Sequence, residues 1–220
     1  MKFYKKLSIL FLSLLILSCS ESNEDYLVKK AGAPLLNGLG THSHKISTEN
    51  TGAQRYFNQG LVLSFAFNHA ESIRSFKAAQ RLDPNCAMCY WGEALSRGPN
   101  INVTSDGKVV MSDSDRIEAF KAIEKAKELM HLASLKEQDY ITALSSRYNG
   151  KVGTNRNLLD RQYAESMEAL SRKYPEDMDA ASLFAESLMN TMPWNYWAED
   201  GNPKPDTIKV ISSLEDVLEK

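Results

Sequence analysis

Small and large apolar residues recur at helical spacing from Tyr56 to Pro84, and the pattern predicts a helix, a tight turn and a second helix. Tyr56, Gly60 and Leu63 share one face of the first helix; Ser72, Phe76 and Ala79 share one face of the second, and Pro84 closes the unit. Gly60 and Ser72 are small enough for the two helices to cross closely, with Phe76 filling the groove beside them. Asn68, with His69 after it, stands where the pair must turn and is a favoured N-cap residue.

The same small-large-small spacing returns three times. A second unit starts at NCAMCYWGEALSRG, with Tyr90 in the aromatic position and Ala94 in place of the glycine, and breaks at Gly98-Pro99. Residues 98–113 are rich in turn formers and interrupt it; its second helix resumes at Ser114 with Ala119, Ile123 and Ala126. The third unit predicts helices near Leu135 to Arg147 and Leu158 to Lys173, with Tyr163, Met167, Leu170 and Pro175 at the intervals of the first. The fourth begins at Asp177, is interrupted by MPWNYWAEDGNPKPD and resumes at Thr207, with Val210, Leu214 and Val217 in register. The proline that would close it is due beyond Lys220, so the pattern predicts a chain cut short, since a helical array is normally finished by a polar capping helix.

Ahead of these units, Lys2, Lys5 and Lys6 precede an apolar and serine-containing run from Leu7 to Leu17. Residues 1–18 read as a signal peptide whose apolar core is too short to span a bilayer. Ile16-Leu17-Ser18-Cys19 resembles the lipobox of bacterial lipoproteins, which implies that Cys19 is acylated, palmitate included, and becomes the mature N-terminus. Several acyl chains anchor stably where one does not. Ser20 after the cysteine resembles outer-membrane sorting signals, and the acidic stretch Glu21 to Asp25 resembles surface-export tags. Residues 19–37 then read as a lipidated, flexible tether, and 38–220 as one helical repeat domain. The loop GLGTHSHKIST opens that domain, with Ser47 or Thr48 expected to cap the first helix.

The offsets of Tyr56, Gly60, Leu63, Ser72, Phe76, Ala79 and Pro84 resemble a tetratricopeptide repeat, a unit of about 34 residues; only Gln59 departs from that pattern. GLGTHSHKIST, the Phe67-Asn68-His69 turn, LDPNCAMCYWGEAL, GPNIN and PWNYWAEDGNPKP further resemble an uncharacterised family of secreted bacterial tetratricopeptide proteins, whose members generally continue into further repeats. The resemblance implies an all-α fold, tetratricopeptide-type helix pairs stacked as a short right-handed α-solenoid with loop insertions. It implies no reaction.

Charge narrows the partners. Without the signal's three lysines the chain has 23 basic against 28 acidic residues, net −5, and it lacks basic clusters, which argues against nucleic acid. It has no nucleophile elbow, phosphate loop, H-E-x-x-H or paired-carboxylate motif, so nothing demands catalysis.

Candidate chemistry lies at the borders of the first unit. His42, His44, His69, Cys86 and Cys89 are the candidates for a soft metal site, because imidazole and thiolate suit copper or zinc. For Cys86 and Cys89 three readings stand: packing as small buried residues, a disulfide, or metal ligation. CAMCY lacks the histidine needed for covalent haem. His131 is expected to meet the negative end of a helix. Trp194, Tyr196 and Trp197 crowd one insertion, either as anchors for a partner or folded back over neighbouring helices. The expected function is a lipid-anchored module of the cell envelope, in the outer membrane, that binds a protein or peptide or scaffolds an assembly; the alternative is a copper- or zinc-binding envelope protein built on the histidine and cysteine cluster.

Overall fold

The computed structural model of the chain describes residues 23–103 and 111–220, so the signal segment, Cys19 and part of the first insertion lie outside the described residues. Within them the protein is all-α, with nine helices: α1 Asn23–Ala31, α2 Thr51–Phe65, α3 His69–Leu82, α4 Ala87–Arg97, α5 Asp113–Leu129, α6 Leu135–Ser145, α7 Arg156–Lys173, α8 Met178–Met189 and α9 Pro205–Leu218. Two isolated bridges, Asn100 to Val103 and Trp197 to Pro203, are the extended pairings among the described residues, and each closes one insertion on itself.

Helices begin where side chains satisfy their free N–H groups. Asn50, Ser112, Ser134 and Asp177 each accept from a backbone N–H at the first turn, and Ser134 with Glu137 forms a capping box. Asn50 therefore caps α2, not Ser47 or Thr48, whose side chains are engaged with Glu137 and Asp83 instead. Asn68 holds the N-cap position of α3 without a side-chain cap bond. His131 donates from Nδ1 to the Glu128 carbonyl at 3.1 Å, at the C-terminal end of α5 as expected.

Consecutive helices pack together from α2 to α9, and alternate ones also touch at α2 with α4 and α4 with α6. The closest approach is organised by Phe76, which is fully buried. A Cβ on Gly60 would lie 2.9 Å from its ring, and one on Gly92 only 2.1 Å away. Ser72 fixes the crossing, donating to the Gly60 carbonyl at 2.6 Å and pairing with the Ser96 hydroxyl at 2.7 Å. In the second pair Trp91, 2% exposed, takes the buried aromatic place expected of Tyr90, because α4 turns Gly92 toward Phe76; its indole donates to the Tyr140 carbonyl at 3.2 Å.

The segment expected to be a flexible tether is docked from Asn23 onward. α1 packs on α3, Arg81 donates to the Ala31 carbonyl, and Tyr56 donates to the Ala33 carbonyl. Gln59, the one departure from the repeat pattern, explains why: its amide bonds the Pro34 carbonyl and Ser75, and its carbonyl accepts from the Leu36 N–H at 2.8 Å. A leucine there would leave these chain groups without partners.

Residues 42–48 then run as a strap across three helix pairs. Thr48 reaches Asp83 after α3, Ser47 donates its N–H to Glu137 of α6 at 2.6 Å, and His44 meets Asp179 of α8. Among the described residues no helix is long and apolar enough to cross a membrane. Gly92→Ala is expected to destabilise the fold by about 1–3 kcal/mol, because the new methyl meets a fully buried ring that has nowhere to move; urea unfolding of variant and parent checks it.

Candidate functional site

Two places concentrate chemistry. The first is where the strap crosses α8. His42 and His44, one residue apart, point to the same carboxylate: His42 Nε2 is 3.0 Å from Asp179 Oδ1 and His44 Nδ1 is 2.6 Å from Asp179 Oδ2. The His44 ring is 93% buried between Phe57 and Tyr140, and its Nε2 has no hydrogen-bond partner among the described residues. Asp177 stands beside them, capping α8 through Oδ1 and paired with Lys136 through Oδ2 at 2.8 Å. Several hydrogen bonds hold the strap's backbone to α2, with His44 N–H donating to Asn58 and Gln54 donating to the His44 carbonyl at 2.8 Å. Burial, followed by the charges of Asp177 and Asp179, pushes the Tyr140 hydroxyl far above its usual value, so it stays protonated.

The cluster expected from the sequence comes apart. Cys86 and Cys89 are joined as a disulfide at the start of α4, both buried, so neither offers a thiolate to a metal. His69 lies in a different cavity, with Nε2 3.2 Å from Asn100 Nδ2. Of the histidines only His42 and His44 stay together, and the fold brings two carboxylates, Asp177 and Asp179, to them. A signal was present in the sequence: DMD repeats the one-residue spacing of HSH, and Asp177 and Asp179 fall at the N-cap and first turn of one helix.

The second place is a cavity of about 270 Å³ between the turn after α2, the first insertion and α8. Its walls are mostly apolar, Phe65, Phe67, Leu95, Ile101, Leu183 and Met189 among them, with His69 and Glu186 as its titratable groups. Burial, and then the nearby Arg147 guanidinium, lowers the His69 pKa. Burial raises that of Glu186 against the pull of Arg147, and Asn190 donates to its Oε1 at 2.6 Å. Arg147 is itself fully buried beneath the cavity, donating to the Pro99 carbonyl at 2.9 Å, paired with Asp160 at 3.3 Å and stacked over Tyr163. Arg156 shares Asp160 at 2.7 Å, so the first insertion rests on a buried ionic cluster.

The tryptophan insertion reaches the same rim. Trp194 donates its indole N–H to the Ile101 carbonyl at 2.8 Å, so the two insertions, 93 residues apart, touch. Trp194 and Trp197 stay 71% and 55% exposed and do not fold back over the helices, whereas the Tyr196 hydroxyl is buried and has no hydrogen-bond partner among the described residues. Phe67 and Trp194 both adopt φ of 59°, a region that costs a bulky residue about 1–3 kcal/mol. Phe67 lines this cavity, and Trp194 bonds the carbonyl of Ile101, which also lines it.

No protein-family model, curated protein or solved structure matches the chain.

The disulfide predicts that Cys86 and Cys89 resist alkylation in the folded, unreduced protein and both react after reduction; peptide mass spectrometry reads this directly. Glu186 carries a pH signature. Its folded pKa lies above the ordinary value, so its favourable contribution is present at pH below that ordinary value and lost as pH rises through the raised one. Glu186→Gln removes this loss, and urea unfolding at pH 4.5 and pH 7.5 should show the variant gaining on the parent at the higher pH.

Proposed function

We propose that the protein is a lipid-anchored helical-repeat module of the bacterial cell envelope that binds a protein or peptide partner, with the cavity between its first insertion and α8 receiving an apolar side chain of that partner. The observation that carries this reading is the meeting of the insertions. These two loops interrupt the helix spacing, yet they bond to each other at the rim of a mostly apolar space that the first of them lines. Loops placed on a rigid helical frame are where binding residues concentrate. A cavity of this size suits one large side chain, and the exposed Phe65 and Phe67 on its wall, with the exposed Trp194 bonded to Ile101 at its rim, have the character of interface anchors. Strain retained at Phe67 and Trp194 is consistent with positions kept for recognition.

The tetratricopeptide reading of the fold is part of the same proposal. It is supported by the order of helix contacts and by the buried Gly60, Ser72, Phe76 and Ala79 at the repeat's small-large-small positions. An envelope location, anchored through acylated Cys19 in the outer membrane, is supported by the lipobox resemblance and by the disulfide, which belongs to oxidising compartments.

A photo-crosslinking amino acid placed at Trp197 or Phe67 tests it in cells. A discrete envelope protein should be captured at both positions and not at the exposed Lys121 of α5. Ser182→Phe, which fills the cavity from α8, should abolish capture while leaving the fold's unfolding transition in place. Capture that is absent, equal at Lys121 or indifferent to Ser182→Phe overturns the proposal.

A further inference from the structure

We infer that His42, His44, Asp177 and Asp179 form a site for a divalent transition ion, with zinc as the ion of matching chemistry. The inference is independent of partner binding at the insertion cavity.

Two pairs of potential ligands face each other, each pair separated by one residue. One donor atom from each of His44, Asp177 and Asp179 lies within 4.8 Å of the others, and His42 Nε2 is 3.0 Å from Asp179. That makes three convergent donors from two distant parts of the chain, with His42 a fourth that reaches the group through Asp179. Two imidazoles and two carboxylates without a thiolate suit zinc, whereas Cu(I) prefers sulfur and calcium or magnesium prefer oxygen alone. Zinc bonds of about 2.1 Å in a tetrahedron put ligand atoms about 3.4 Å apart. The present separations of 2.6 and 3.0 Å between each histidine and Asp179 need to open by less than about 1 Å to reach that spacing.

Preorganisation argues in the same direction. The strap's backbone is tied to Asn58 and Gln54 of α2, the His44 ring is wedged between Phe57 and Tyr140, and Asp177 is pinned as the cap of α8. Asp179 is thus not the sole element holding the imidazoles in place. The site opens through His42, which is 42% exposed, into a cleft that also contains Lys45, Lys136 and Lys173. Of these, Lys136 occupies Asp177 Oδ2 and Lys173 is taken up by Asp139 at 2.6 Å. Lys136 is therefore the ammonium that competes with the ion, and metal binding displaces it.

Isothermal titration of the untagged full chain in detergent with zinc chloride tests the site, with magnesium chloride as the control ion. One equivalent of zinc should bind and magnesium should not. His42→Ala and Asp179→Asn should each weaken zinc by about tenfold or more. His42 is exposed enough that its loss leaves the fold intact, which the unfolding transition of the variant verifies. Lys136→Met should tighten zinc, a gain that damaged folding does not produce. Cys86→Ala/Cys89→Ala should bind as the parent does. The inference is overturned if zinc does not bind, if His42→Ala and Asp179→Asn bind it as the parent does, or if loss of the cysteines abolishes binding.

Discussion

The structure depends first on the space around Phe76. Its ring sits where three helices meet, and two glycines, one on α2 and one on α4, leave room for it. Interiors are packed too densely for that ring to shift, so the absence of a side chain at positions 60 and 92 sets the distance between the first two helix pairs. Ser72 adds direction to the contact by bonding one helix's carbonyl and the next helix's hydroxyl in the same buried spot. The helices that follow stack on this core, and the cavity and the strap both inherit their positions from it.

A second layer of organisation comes from polar groups that span the units. The strap's short side chains bond acids after α3, on α6 and on α8, so one extended segment ties together elements distant in sequence. Acids serve this purpose well because a carboxylate accepts several hydrogen bonds at once. Glu137 illustrates it, accepting from Ser47 and from the Ser134 N–H that opens its own helix. Asp179 follows the same pattern with two imidazoles as partners, which is what makes that junction chemically distinct from the others.

The insertions are the part of the molecule that the packing of successive helices does not explain. One rests on the buried Arg147, Asp160 and Arg156 cluster and the other returns to it through Trp194. Burying two guanidiniums is costly unless each is paired and its donors are used, and here the Pro99 and Arg147 carbonyls supply part of that pairing. The apolar cavity thus adjoins a buried and paired ionic cluster through Pro99, which lines the one and accepts from the other.

Local spacing alone determined the helices of the four pairs, the breaks at Gly98-Pro99 and after α8, and the small residues at Gly60 and Ser72, because helix periodicity and close crossing are properties of a few neighbouring residues. It also singled out His42, His44 and the aromatic insertion. Tertiary structure decided the rest. The N-terminal segment reads as a tether until Gln59 is seen to satisfy its backbone groups. The two cysteines at one helix start are compatible with packing, metal or disulfide, and their geometry in the fold selects the bond. His69 is near His42 in sequence and belongs to another cavity, while Asp179 lies 135 residues from His44 and bonds it. Such long-range pairings follow from how helix pairs are stacked, and no periodicity within a pair encodes them.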